Sequence, residues 1–526
     1  MLFVIAAAAF TFWPLMEVKY FSVVPDEAFM ALNVKNYSCA PLAPLTFYIG
    51  HIATDLLGDK LVTLRLLKYF CYLTSIGVSC IYFYKVSHRI YAAVGLFALL
   101  MLSSATAAMD IYNWDTGSYP FMVTALLSAM VFLKYRNIPS ASLMGLLCGL
   151  MIASRITNII AVPFIVLMIC LCEIHVKQKI RICSVFLLSL SASLLATAYL
   201  IYGSMSTLSN AWSQSNIITG HSADIDTIKR MLADFNLLSL YLTLGFVVSI
   251  ICLLFTVTTL RLRRYKKLFI ILMILMLFLY ARALRFDQTA HYGIWQFPTL
   301  LFLFIPQLSA ILGINRSAGE TIIPAITLRQ WTILLFLLLP AVGSDHFYER
   351  FAPLAFFPIV IAHCYNKFSW QLTVFCTFMA VEIVFLSSLK LPVRILSMTN
   401  DIGCLSPRTE GILYKDTSAL VTQKEIYDIL KDRGFNTTFI GARKSQWTYM
   451  YAPDHDYCIP HFHYIDFDAE KDTYLRNLIN YDALILNLPI YDSPQMTDFL
   501  KWLTDKGYKD ISSQIQLPPS VLVYAR

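Results

Sequence analysis

The chain reads as a polytopic α-helical membrane protein of about thirteen spans, followed by a C-terminal soluble α/β domain. Three observations predict this. Of 526 residues, 58% are hydrophobic and only 14% charged, where a soluble domain carries about a quarter of its residues as charges. Mean hydropathy is +0.62. Apolar runs of the kind that cross a hydrocarbon core, about 20 residues for roughly 30 Å, recur up to about residue 389 and then stop.

Taken in order, the spans fall near 1–16, 62–84, 90–108, 119–134, 141–154, 156–174, 180–201, 236–260, 268–281, 295–313, 330–343, 351–366 and 369–389. The first, MLFVIAAAAFTFWPLM, lacks the basic leader of a signal peptide and reads as a short span. The fifth and sixth meet at ASRITN, which predicts a tight hairpin. No repeat of 20 to 50 residues is visible, which argues against a solenoid or a duplicated transporter.

The loops then divide into two groups. KVSHR (85–89), KYRN (134–137), HVKQKIR (175–181), RLRRYKK (261–267) and NRSAGE (315–320) are short and basic, and the positive-inside bias assigns them to the cytoplasm. The other group holds loop 17–60, DIYNWDTGS (110–118), loop 202–235, ARALRFDQTAHYG (281–293) and GSDHFYER (343–350). The net charge of +8 is accounted for by the basic loops and does not point to nucleic acid. Of twelve cysteines, only Cys39, Cys404 and Cys458 lie outside apolar runs, and no CxxC or Cys/His spacing suggests zinc. The last two are the pair available to a disulfide in the tail.

From about residue 390 the periodicity changes. TSALVTQKEIYDILKDRG (417–434) predicts a helix ending at Gly434, NTTFIGA (436–442) and YDALILNLPIY (481–491) predict strands, SPQMTDFLKWLTDKGY (493–508) predicts a helix with Ser493 as N-cap, and SVLVYAR (520–526) a closing strand. The expected organisation is a transmembrane catalytic domain over 1–389, including outer loop 17–60, and a soluble non-cytoplasmic domain over 390–526. The tail carries no GxGxxG, Walker or triad spacing, so a lid or acceptor platform is the simplest role.

Groups capable of chemistry gather in the second set of loops: Asp26, Glu27, Asp110, Asp115, Arg282, Arg285, Asp287, His291, Asp345, His346 and Arg350, with Arg65 at the start of the second span. Each has a plainer reading. Asp26 follows Pro25 and precedes AFMALNV, where it would cap a short interfacial helix. The arginines could simply snorkel at span ends, and a lone Asp-His dipeptide is a weak signal.

The stretches VVPDEAFMALN, LLGDKLVTLRLL, MDIYNWD and GLLCGLMIASRITNIIAVPFIVL together resemble the GT-C membrane glycosyltransferases, particularly the dolichyl-phosphate-mannose protein mannosyltransferase and aminoarabinose transferase branch. The resemblance covers the first 175 residues, and it departs from the family pattern where Arg155 replaces a common Lys. It implies inverting transfer of a sugar from a polyprenyl-phosphate donor to a hydroxyl of a glycan, lipid or protein acceptor at the outer face.

Such chemistry needs a general base for the hydroxyl and cations for the leaving phosphate. The resemblance assigns the base to Asp26, with Asp110 and Asp115 as second candidates. Glu27 would orient the acceptor, hold a metal or face water. Arg65, Arg282, Arg285 and Arg350 would grip the phosphate, and His291, Asp345 and His346 would contact acceptor or sugar. A divalent metal stays undecided.

The composition points to a bacterial inner membrane, with the site and tail on the non-cytoplasmic side. The rival readings are a flippase or transporter, which would bury charges near the midplane, a polysaccharide polymerase or ligase using loop 202–235, and a structural subunit that presents the tail.

Overall fold

The computed structural model describes residues 30–106 except 32, 36, 40 and 41, then Tyr112, 116–209 except 205, eight helical residues between 329 and 362, and 418–441, 480–487, 494–515 and 521–526. The expected spans at 1–16 and 236–313, and nearly all of 330–389, lie outside the described residues.

The described part is mostly helical, and its first helix is one the composition did not announce. Helix α1 (Pro44–Leu57) occupies the second half of loop 17–60, where the prolines suggest only a turn. Pro44 stands in its first turn, where a missing N–H costs nothing. Met30, Ala31, Asn33, Val34 and Lys35 are helical too, on the segment where a short helix is expected after Pro25. Gly58 ends α1 at φ +99°, a conformation open to glycine. Its carbonyl accepts from Lys60 N at 2.8 Å and Thr63 Oγ1 at 2.9 Å, so the turn at Gly58-Asp59 launches the next helix.

Six helices follow: α2 (Leu61–Ser87), α3 (Ile90–Thr106), α4 (Tyr119–Tyr135), α5 (Ile138–Ser154), α6 (Ala161–Leu171) and α7 (Val176–Tyr202). Their bounds track the expected spans within a few residues. Helix α5 begins three residues early because Asn137 caps it, accepting from Ser140 N at 3.0 Å. By length and composition, two helices among the described residues, α2 and α7, can cross a membrane, and α4, α5 and α6 are shorter apolar helices. The sixth span is split: Ile156–Ile160 form a 3-10 turn before α6. Pro163, lacking an N–H, cannot close an α-helical bond to Ile159, which leaves the start of the helix to the tighter winding.

One pairing sets the spacing of the bundle. A Cβ built on Gly145 would lie 2.4 Å from Phe186 O, and one on Gly149 would lie 2.6 Å from Ser193 Cβ. The order of these partners shows that α5 and α7 run parallel. Ser142 and Ser189 hydroxyls meet at 2.9 Å, and Ser193 Oγ donates to Leu146 O at 3.0 Å. Small residues four apart with interhelical hydroxyl bonds are a membrane packing device. Ile333, Phe336, Ile359, Ile361 and Ala362 join the same core.

The bundle has two ends. At one, Arg136 Nη1 donates to Glu173 O and Gln178 Nε2 to Arg136 O, both at 3.5 Å, which brings the basic loops 134–137 and 175–181 together. At the other end lie α1, the 3-10 turn Thr116–Ser118, the α5 terminus and the α7 terminus. For the described loops 134–137, 175–181, 42–60 and 116–118, this is the division that charge alone predicts.

In the tail, α8 (Ser418–Asp432), β1 (Thr437–Gly441), β2 (Ala483–Asn487), α9 (Pro494–Asp505), β3 (Lys509–Asp510) and β4 (Val521–Ala525) form a four-stranded sheet with helices, in strand order β1-β2-β4-β3. The first pair is parallel and the others antiparallel. Every helix and strand expected there is present; the two-residue β3 was not foreseen, and Cys404, Cys458 and Ser493 lie outside the described residues. Phe499 and Leu503 of α9 pack on Leu484 and Leu486 of β2.

Tyr508 OH donates to Tyr481 O at 2.6 Å while Arg526 lies over its ring at 4.4 Å. Burial raises the Tyr508 phenol above its ordinary range, with Asp482 raising it further and Arg526 opposing. A phenol held neutral by the fold contributes stability that is intact below pH about 10 and is lost as pH rises through the folded value. The tail is therefore expected to become protease-sensitive in alkaline buffer. Tyr508→Phe is expected to remove that alkaline loss while costing about 1 kcal/mol at neutral pH; limited proteolysis of the full chain from pH 8 to 11 reads both.

Candidate functional site

The end opposite the basic loops is organised by Thr46, the third residue of α1. Its hydroxyl donates to Ser154 O at 2.8 Å, and its carbonyl accepts from Tyr112 OH at 2.5 Å. Gly117 presses so close that a Cβ there would lie 2.6 Å from Thr46 Cγ2. A fourth tie joins the same neighbourhood: Ile156 N donates to Leu42 O at 2.9 Å. At ASRITN the chain breaks sharply, with Arg155 extended and Asn158 Nδ2 donating back to Met151 O at 3.0 Å, but α5 packs along α7 rather than along α6 as the expected hairpin would have it.

One turn along α1, Gly50 marks where two further segments converge. A Cβ at that position would lie 2.8 Å from Val34 Cγ2 and 3.0 Å from Tyr112 Cε1. Val34 stands eight residues after Asp26, and Tyr112 stands between Asp110 and Asp115. Val34 and Tyr112, the one downstream of the first acidic motif and the other within the second, thus meet on one helix. The acids themselves, Asp26, Glu27, Asp110 and Asp115, lie outside the described residues, as do Arg282, Arg285, His291, Asp345, His346 and Arg350.

Of the expected site residues, the structure describes Arg65. It is wholly buried, 0% exposed, at the fifth position of α2. Lys68, one turn further and on the same side of the helix, is 2% exposed. Arg155 at the end of α5 is buried as well. Sequence reasoning passed over Lys68; the signal was its three-residue spacing from Arg65 inside an apolar run. Both α2 cations are engaged in interactions within the protein, as charges shielded from water must be.

The exposed side of α1 is different in character. His51 Nε2 lies 3.3 Å from Asp55 Oδ2, and the His51 ring sits tilted, 4.5 Å from that of Tyr37, which also meets Tyr48 edge-on at 5.2 Å. His51 O accepts from Thr54 Oγ1 at 2.9 Å. Among the described residues, no group of three or more His, Cys, Asp or Glu side chains is gathered as a metal would require.

Tyr112 is the main hinge of this arrangement. Its ring is 1% exposed, and burial holds its phenol well above the ordinary range, so it stays a donor. Tyr112→Phe removes that bond and is expected to cost about 1 kcal/mol, read as a lower melting temperature of the purified protein. A melting temperature equal to wild type would show that the 112 segment is held by packing alone.

No family model and no curated protein matches the chain. Solved structures do. The chain is similar to the archaeal oligosaccharyltransferase AglB of Archaeoglobus fulgidus in complex with an inhibitory peptide and a dolichol-phosphate, at 12% identity and TM-score 0.46, over 99% of this chain and 75% of that one. It is similar to ArnT of Cupriavidus metallidurans bound to undecaprenyl phosphate, at 13% identity and TM-score 0.40, over 100% of this chain and 97% of that one.

Proposed function

We propose that the chain is a membrane glycosyltransferase of GT-C type that moves a sugar from a polyprenyl-phosphate donor to a hydroxyl of a glycan, lipid or protein acceptor. The observation that carries this reading is the convergence of Val34 and Tyr112 on Gly50. Val34, eight residues after Asp26, and Tyr112, between Asp110 and Asp115, meet on a single helix, which supports a site built from both acidic motifs.

In the proposed mechanism Asp26 accepts the acceptor's hydroxyl proton as the oxygen attacks the anomeric carbon. The bond from that carbon to the phosphate oxygen breaks from the opposite side, so configuration inverts. Polyprenyl phosphate leaves as an anion and needs its charge met rather than a proton. Arg282, Arg285 and Arg350 are the residues proposed to meet it. Arg65, buried inside α2, supports the site from behind. Glu27 orients the acceptor, Asp110 and Asp115 are the alternative bases, and His291, Asp345 and His346 are proposed contacts to sugar or acceptor.

The reading further includes about thirteen spans, a site on the non-cytoplasmic side of a bacterial inner membrane, and the α/β tail as its roof. Purified protein in nanodiscs, given a panel of polyprenyl-phosphate sugars, should release free polyprenyl phosphate in an acceptor-dependent way. Movement of intact donor across liposomes without release would instead assign the chain to the flippases.

A further inference from the structure

The basic end of the bundle holds cations with two different tasks. Loops 134–137 and 175–181 bring together Lys134, Arg136, Lys177, Lys179 and Arg181, and Glu173 is the carboxylate described beside them. Two of the cations serve the fold. Arg136 Nη1 donates to Glu173 O and Lys179 Nζ to Cys170 O, carbonyls at and just past the end of α6, where positive charge is favoured. Lys177 and Arg181 do not serve the helix they stand on. Both are exposed at the start of α7, the end of a helix at which cations are disfavoured. The first turn of α7 holds no acid to offset them.

Further along the same face the character changes. Leu188 and Leu195 follow Arg181 at intervals of seven residues. With Lys177, the four fall within about 40° around the axis, at roughly 100° per residue. Both leucines are open, at 70% and 59% exposed, and Val176 and Ile180 add exposed apolar surface beside the cations. At a rise of roughly 1.5 Å per residue the leucines stand about 10 and 21 Å beyond Arg181. One leaflet contributes about 15 Å of hydrocarbon, so the stripe spans its depth.

We propose that this face of α7 binds an anionic phospholipid, its phosphate held by Lys177 and Arg181 and one acyl chain laid along Leu188 and Leu195. The inference rests on α7 crossing a membrane, and the transfer reaction plays no part in it. A soluble phosphate would use the cations and leave the open leucines without a role. A neutral lipid would use the leucines and leave the cations without one. The positive-inside bias accounts for basic loops in any register; it does not call for Lys177 and Arg181 to stand in line with an apolar stripe. Each Lys or Arg near an anionic headgroup is worth about a fivefold gain in affinity.

The test follows the melting temperature of the purified full chain in a neutral detergent as dioleoyl phosphatidylglycerol or dioleoyl phosphatidylcholine is added. Phosphatidylglycerol should raise it at a lower lipid fraction than phosphatidylcholine. Lys177→Gln with Arg181→Gln should need roughly 25-fold more phosphatidylglycerol for half the rise, with the melting temperature in detergent alone unchanged. Lys177→Arg with Arg181→Lys keeps both charges and should keep the wild-type curve. Identical curves for the two lipids, or a glutamine pair that needs less than about fivefold more, would overturn the site. Inorganic phosphate should give no rise; a rise equal to that of the lipid would reassign the cations to soluble anions and remove the lipid. Should the glutamine pair fail to fold, Arg181→Gln alone is expected to need about fivefold more phosphatidylglycerol, and a curve equal to wild type refutes the proposal.

Discussion

Asp26→Asn is expected to lower donor-dependent transfer by at least about 100-fold, the scale of a lost general base, while leaving the melting temperature and donor binding near wild type. The substitution keeps shape and polarity and removes only the capacity to take a proton. The competing role for this residue, N-cap of the helical segment containing Met30 and Ala31, predicts something different. Asparagine caps as well as aspartate, so a pure cap would survive the change with activity intact. Release of polyprenyl phosphate measured for both proteins at saturating donor separates the two. Activity that persists moves the base to Asp110 or Asp115, whose asparagine variants form the next pair.

The second large effect lies in the packing that supports the site. Gly145→Val is expected to destabilise the protein by about 3 kcal/mol or more, the upper end for forced overpacking. The added atoms would meet the Phe186 carbonyl at 2.4 Å and the Ser189 side chain at 2.9 Å, and backbone cannot rotate away as a flexible side chain can. A glycine elsewhere provides the contrast. Gly77 in α2 has only Phe97 within reach, at 3.9 Å, so Gly77→Ala should leave stability unchanged or raise it by up to about 1 kcal/mol of helix propensity. Melting temperatures of both variants in one detergent check the pair. Equal shifts would mean that the α5–α7 approach is not what fixes the spacing.

Much of this architecture was legible before any coordinates. The spans are written in runs of apolar residues, the division into two ends in the placement of Lys and Arg, and the tail helices in their period. What escaped had a local cause. Helix α1 was hidden because Pro41 and Pro44 are read as chain breakers, although a proline in the first turn starts a helix as readily as it ends one. The split before α6 turns on Pro163, whose effect depends on its distance from a helix start that sequence places only to within a few residues.

Lys68 escaped for another reason. A lysine near a span end is ordinary by composition, and only its complete burial distinguishes it from one that reaches to the headgroups. The anchoring at Gly50 depends on residues 34, 50 and 112 meeting, a relation that no pattern along one chain encodes.

The bond from Thr46 to Ser154 spans 108 residues of sequence. Chains emerge from the ribosome at about 5 to 20 residues per second, so roughly 5 to 20 seconds separate the synthesis of its two partners. During that interval α1 has no α5 to dock on, and helices α2 to α4 form with this end of the bundle still open. That end of the bundle is thus a product of late assembly. A nascent chain arrested before Ser154 would hold α1 with the Thr46 hydroxyl still waiting for its partner on α5.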